Sequence, residues 1–197
     1  MSIEVIRAAL TDARSAVDVL LHNDETLRAI DAAAKVICDS LKKGGCVYSC
    51  GNGGSLCDAM HFAEEMTGRY RKNRPAYAAV AISDQSHMAC VANDFGYDQV
   101  FSRYVEGVCR KGDVFVGIST SGRSANIIKA AKAAKQKGMT VICLTGVYGS
   151  EITKCSDISI VTPFGKWADR VQEMHIKCIH ILIELIEREL NPENYAD

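Results

Sequence analysis

Five short apolar runs punctuate this chain after residue 45: CVYSC (46–50), AAVAI (78–82), VFVGI (114–118), TVICL (140–144) and ISIV (158–161). Each is bounded by turn residues and lacks the polar alternation of a half-exposed strand, so each reads as a strand buried on both faces of a parallel sheet. Helical stretches fill the gaps, at 55–70, about 97–109, 124–137 and 167–190. Parallel strands need crossover helices. The alternation therefore predicts a three-layer α/β/α sandwich with a five-stranded parallel sheet.

Two helices are predicted before the first strand. Residues 3–22 place Ile3, Ile6, Leu10, Ala13, Val17 and Leu20 at helical spacing. A second helix is expected from Asp24, read as its N-cap, to about Lys43, ending at Gly44-Gly45. A length of 197 residues suits one domain: residues 1–44 as N-terminal helices packing on the core and at a subunit interface, and 45–190 as the βαβ core with its last helix.

Composition closes several alternatives. With 23 basic and 24 acidic residues the net charge is -1, which argues against binding nucleic acid through a large basic surface. The apolar stretch IHILIELI is interrupted by Glu184, and MSIEVIRAAL has no secretory pattern; a cytoplasmic protein that does not enter membranes is expected. Nine cysteines, with no CxxC pair, suit neither a tetrathiolate zinc site nor a redox motif and read as reduced, mostly buried small hydrophobes.

In open α/β sheets ligands bind beyond the carboxyl ends of the strands, and two such loops are unusual here. The first strand runs into Gly51-Asn52-Gly53-Gly54-Ser55 before a helix, where glycines permit close backbone approach and the helix N-terminus favours an anion. Leu56 breaks a GxGxxG dinucleotide fingerprint. The third strand runs into Ser119-Thr120-Ser121-Gly122-Arg123-Ser124, whose hydroxyls and helix amides suit a phosphomonoester. No GxxxxGK[ST] is present, which excludes a nucleoside-triphosphate loop of that type.

Groups for metal binding or proton transfer lie on two helices. His61 and Glu65 are four apart and share a face that Arg69 is expected to continue. On the last helix, Ile176, Ile179, Ile183 and Ile186 mark a buried stripe, with Gln172 near its centre and His175 and His180 on opposite flanks. Spacing does not choose between these two histidines. His22 and His87 carry no functional signal, Lys129/Lys132/Lys135 read as the solvated outer face of the 124–137 helix, and Asn93-Asp94 as part of a turn-rich loop.

SCGNGGS (49–55), DAMHFAEEMTGRY (58–70), ISTSGRSAN (118–126) and ADRVQEMHIKCIHILI (168–183) together resemble the bacterial phosphoheptose isomerases of the sugar isomerase (SIS) domain family. The resemblance runs from about residue 3 to 190. It implies a flavodoxin-like SIS fold and an aldose–ketose isomerase, converting sedoheptulose 7-phosphate to D-glycero-D-manno-heptose 7-phosphate at the start of ADP-heptose supply for lipopolysaccharide. It implies one zinc ion per subunit on His61, Glu65, Gln172 and His180; the proton transfers of such an isomerisation need a base and an acid, roles expected of Glu65 as base and His180 as acid/base. Substrate contacts are implied at Asn52, Gly53, Gly54, Ser55, Glu65, Arg69, Asn93, Asp94, Ser119, Thr120, Ser121, Ser124, Asp169 and Gln172. Arg123 stands where relatives carry a small polar residue. A homotetramer with sites at subunit interfaces is implied. Some SIS relatives are instead non-catalytic, such as the DnaA-initiator-associating scaffold or sugar-phosphate-sensing regulators. Retention of the whole metal and proton-transfer set favours the enzyme.

Overall fold

A computed structural model describes residues 2–196. Two helices, α1 (Ser2–Leu21) and α2 (Asp24–Lys42), precede β1 (Val47–Gly51), α3 (Gly54–Thr67), β2 (Ala79–Ala81), α4 (Gln85–Phe95), α5 (Val100–Val108), β3 (Val114–Ile118), α6 (Ala125–Gln136), β4 (Thr140–Thr145), β5 (Ile158–Val161) and α7 (Ala168–Leu190). The five strands form one sheet in the order β2-β1-β3-β4-β5, and every pairing is parallel. This is the flavodoxin-like order, whose ligand crevice lies at the switch between β1 and β3.

The pleat explains the three layers. Side chains alternate across a strand, so Val47, Val114, Val116 and Ile118 face one way and pack with Ile37, Phe62, Met66, Ile179 and Ile183 of α2, α3 and α7. Tyr48, Cys50 and Phe115 face the other way and pack with Phe101, Val105, Ile127 and Ala131 of α5 and α6. The helix leaving β1 thus covers one face and the helix leaving β3 the other. Their N-termini flank the switch point. Cys38, Cys50, Cys109, Cys143 and Cys178 are buried free thiols; burial pushes Cys38 up to about 11 and Cys109 and Cys178 up to about 12. No helix among the described residues is long and apolar enough to cross a membrane.

Several elements differ from expectation. Asn23, not Asp24, caps α2, its side chain accepting a hydrogen bond from the Thr26 amide. Residues 85–95 form α4, capped by Asp84 accepting from the His87 amide, so Asn93 and Asp94 sit on the last helical turn and not in a loop. Only Val91 of α4 is buried, which leaves little apolar period to read. The helix expected at 97–109 divides into a 3-10 turn (Tyr97–Gln99) and α5. Helix α3 stops at Thr67, so Arg69 lies beyond it. On α7 the buried positions include Val171, Met174, His175, Cys178, Ile179, Leu182, Ile183 and Ile186. His175 therefore belongs to the buried stripe, and Gln172 and Ile176 lie at its half-buried edge.

Candidate active site

The first cradle is shaped by glycines that cannot be replaced. A Cβ on Gly51 would fall 2.3 Å from the Ser55 carbonyl oxygen, and Gly53 has φ of 55°. A Cβ on Gly54 would fall 2.8 Å from Gln172 Nε2, so the carboxamide of Gln172 lies directly across the first residue of α3. The start of α7 is thereby held against the glycine loop.

The second cradle turns at Gly122, whose φ is 66° and whose Cβ would meet Ser150 Oγ at 2.3 Å. Ser124 is the N-cap of α6, but its hydroxyl does not cap the helix; it lies 3.0 Å from Ser119 Oγ. Ser121 Oγ accepts from the Arg123 amide at 3.3 Å, and Arg123 itself is exposed. Thr120 and Ser121 line a groove of about 250 Å³ whose other wall is Gly146, Val147 and the segment Gly165–Ala168.

Two residues that sequence reasoning missed hold Asn52 of the first cradle, and one of them ties it to the helix that follows the second. Asn126, buried on the first turn of α6, exchanges two hydrogen bonds with Asn52: Asn52 Nδ2 donates to Asn126 Oδ1 at 3.0 Å, and Asn126 Nδ2 donates to Asn52 Oδ1 at 2.8 Å. Tyr97 donates its hydroxyl to the same Asn52 oxygen at 3.2 Å. Asn126 stood within the quoted ISTSGRSAN segment, but nothing local distinguishes a bridging asparagine from a helix-start one.

The third part is a histidine–carboxylate cluster. His61 Nε2 lies 2.9 Å from His180 Nε2 and 3.6 Å from Glu65 Oε1. His61 Nδ1 lies 3.1 Å from Glu64 Oε1. That contact assigns the Nδ1 proton to the Glu64 side and leaves the Nε2 lone pair facing His180 and Glu65. The second imidazole of the choice left open by spacing is thus His180. Burial, reinforced by His61, holds its pKa below the usual histidine value, with Glu65 opposing. Tyr70 walls its other side, ring centroids 5.8 Å apart. One turn before His61, Asp58 has a buried, unpartnered Oδ2, and burial raises its pKa to about 6.

This donor set fits a divalent ion. His61 Nε2 has a second imidazole nitrogen at 2.9 Å and a carboxylate oxygen at 3.6 Å, its other nitrogen is oriented by a carboxylate, and donors on a tetrahedral zinc lie about 3.3 Å apart. His61, Glu64 and Glu65 also bring ligand atoms within 4.8 Å of one another. Gln172 stands eight residues before His180, about 12 Å along the helix axis, with its carboxamide against Gly54.

The remaining predicted contacts stand at exposed positions with local partners. Arg69 is exposed past the end of α3. Asn93 donates to Asp94, and Cys90 Sγ lies 3.6 Å from Asp94, all on an exposed turn. Asp169 is exposed and accepts from the Arg170 amide at 2.8 Å. His175 is fully buried, and burial lowers its pKa to about 4; it is a neutral core residue, not a site residue.

Residues 13–146 match the sequence profile of the SIS domain. The chain is 60% identical over 187 residues to a phosphoheptose isomerase of Aeromonas hydrophila, an overlap covering 95% of this chain and 97% of that protein. Among solved structures it superposes on a phosphoheptose isomerase from Neisseria gonorrhoeae with a TM-score of 0.88 at 39% identity, covering 95% of this chain and 99% of that one. The Francisella tularensis phosphoheptose isomerase gives 0.89 at 29% identity, with the same coverage of each chain. With the fold, the two cradles and the His/Glu cluster in place, this chain belongs to the phosphoheptose isomerase family of SIS-domain proteins.

Proposed function

We propose that this chain isomerises sedoheptulose 7-phosphate to D-glycero-D-manno-heptose 7-phosphate, the first step of ADP-heptose supply for lipopolysaccharide core. The observation that carries the reading is the His61–Glu65–His180 grouping on the α3–α7 seam, in a molecule whose β1 and β3 also run into two anion cradles. The phosphate suits the hydroxyls of Ser119, Thr120, Ser121 and Ser124 and the start of α6, which bind it without changing the charge balance. The sugar chain then extends toward Asn52–Ser55 and α3.

Moving the carbonyl from C2 to C1 is a proton relocation. The Glu65 carboxylate removes a proton from C1; that bonding pair becomes the C1=C2 double bond of an enediol, while the C2 carbonyl oxygen takes a proton from His180. The protonated Glu65 then delivers its proton to C2, and His180 recovers one from the O1 hydroxyl as the C1 carbonyl forms. Both groups end as they began.

His61, Glu65 and His180 would hold zinc, one ion per subunit, with Gln172 as the further donor that the family resemblance implies. Bound zinc would polarise the sugar oxygens and stabilise developing negative charge. A homotetramer is proposed on the apolar face that α1 leaves open, with Arg69, Asn93, Asp94 and Asp169 completing sites between subunits. The cytoplasm suits nine cysteines that the fold leaves as free thiols.

The deciding experiment incubates the purified protein with sedoheptulose 7-phosphate, with and without a chelator, and follows the aldoheptose phosphate. Turnover that the chelator abolishes supports the reading. No turnover with any added divalent metal overturns it in favour of a non-catalytic scaffold.

A further inference from the structure

The seam between α3 and α7 carries every proton-transfer group, and a buried ion pair closes its far end. Arg74 and Glu187 have side chains with 0% exposure, and Arg74 Nε donates to Glu187 Oε1 at 2.7 Å. A buried ion pair is weak evidence for stability, because desolvation offsets its attraction. Its other hydrogen bonds indicate what it specifies.

Helix α3 ends without a left-handed C-cap, Gly68 having φ of -88° and ψ of -130°, so its last carbonyls need other partners. Arg74 supplies them. Its Nη2 donates to the Glu65 carbonyl at 2.7 Å, and its Nη1 to the Met66 carbonyl at 2.8 Å and the Gly68 carbonyl at 3.0 Å. The guanidinium also meets the negative end of the α3 dipole. Glu187 in turn accepts from Tyr195 at its second oxygen and lies on α7 seven residues after His180, hence on nearly the same face.

We propose that Arg74 is a positioning residue for the isomerase reaction: through Glu187 it fixes the last turn of α3, and with it the Glu65 side chain, in register with His180 on α7. The inference rests on the isomerase reading above. It adds a third fastening to a seam otherwise joined by Gln172 over Gly54 and by His61 on His180.

The test compares wild type with Arg74→Lys and with the double variant Arg74→Met/Glu187→Leu. The double variant removes both charges together and so avoids a lone buried ion; Arg74→Lys keeps the charge but loses the planar fork that reaches the Glu65, Met66 and Gly68 carbonyls. In the folded double variant kcat should fall about 10- to 100-fold, as expected for a displaced reacting group, while KM changes by less than about threefold, since the phosphate cradle lies on other elements. Arg74→Lys should recover part of that loss. Hydrogen exchange of residues 62–68 should accelerate in the double variant while β1 and β3 keep their protection. A folded double variant with wild-type kcat, or with unchanged exchange in that segment, overturns the proposal. If the wild type fails to turn over sedoheptulose 7-phosphate, the isomerase reading and Arg74's role in that reaction both fall. The exchange arm still decides whether Arg74 fixes the turn.

Discussion

In the proposed mechanism Glu65 would carry two demands on one carboxylate, as a metal donor and as the base at C1. Replacing it by glutamine keeps its size and removes the basic lone pair. Glu65→Gln should lower kcat by about 10²-fold or more while a phosphate-bearing substrate analogue still binds near its wild-type affinity. Steady-state kinetics with a parallel binding titration checks this, and wild-type turnover would remove Glu65 from the mechanism. Asn126 acts on binding instead. Asn126→Leu deletes both bonds to Asn52 and leaves Asn52 Nδ2 in a half-buried loop without that partner, a cost of about 1–3 kcal/mol. KM should rise by about tenfold or more, with kcat little changed. Gly53 and Ser119 were legible in sequence because glycine and clustered hydroxyls announce themselves. Asn126, Glu64 and Arg74 were not, since their partners lie on other elements or at distances that only the folded chain sets.

At the scale of elements, the five strands were legible because a buried parallel strand is continuously apolar over a short run. Helix α4 was not, because it buries only Val91 and is fixed instead by its Asp84 cap. The stripe of α7 was misread by counting isoleucines: burial of the histidine ring at 175 moves the buried sector away from Gln172. That ring has a measurable consequence. His175 titrates near 4 when folded and near 6.5 when unfolded. Between these values the unfolded chain binds the extra proton, so stability rises with pH and is lost as pH falls from 6.5 towards 4, by on the order of 3 kcal/mol at most. Asp58 works in the opposite sense. Its folded value of about 6 exceeds the unfolded 3.8, so its contribution is lost as pH rises through that range, and its partial exposure makes it the smaller effect. Urea midpoints at pH 7 and pH 5 should therefore differ more in wild type than in His175→Leu. Equal pH dependence in the two proteins would mean that His175 does not stay neutral in the folded state.

Across the whole molecule, the unbalanced feature is α1. Its last turns pack through Ala16 and Leu20, and Arg170 ties it to α7 by an ion pair to Asp12 at 2.9 Å. Its first turns carry Ile3, Ile6 and Leu10 at 65%, 56% and 66% exposure. Large side chains at helical spacing left open to water make an apolar stripe, and such a stripe marks an association surface. The amphipathic pattern was plain in the sequence; that its apolar side turns away from this chain's own core was not, because a periodicity shows that a face is apolar without showing what covers it. In the homotetramer proposed above a second copy would cover this stripe, and the exposed Arg69, Asn93, Asp94 and Asp169 would be free to meet it. The variant Ile6→Glu/Leu10→Glu alters exposed positions only, so the monomer should keep its fold and its far-ultraviolet dichroism. Sedimentation velocity should then show dissociation relative to wild type, and kcat/KM should fall with it, recovering in part at high protein concentration as copies reassociate. A variant that sediments as wild type would move the interface off α1, and one that dissociates with full activity would place the complete site within a single chain.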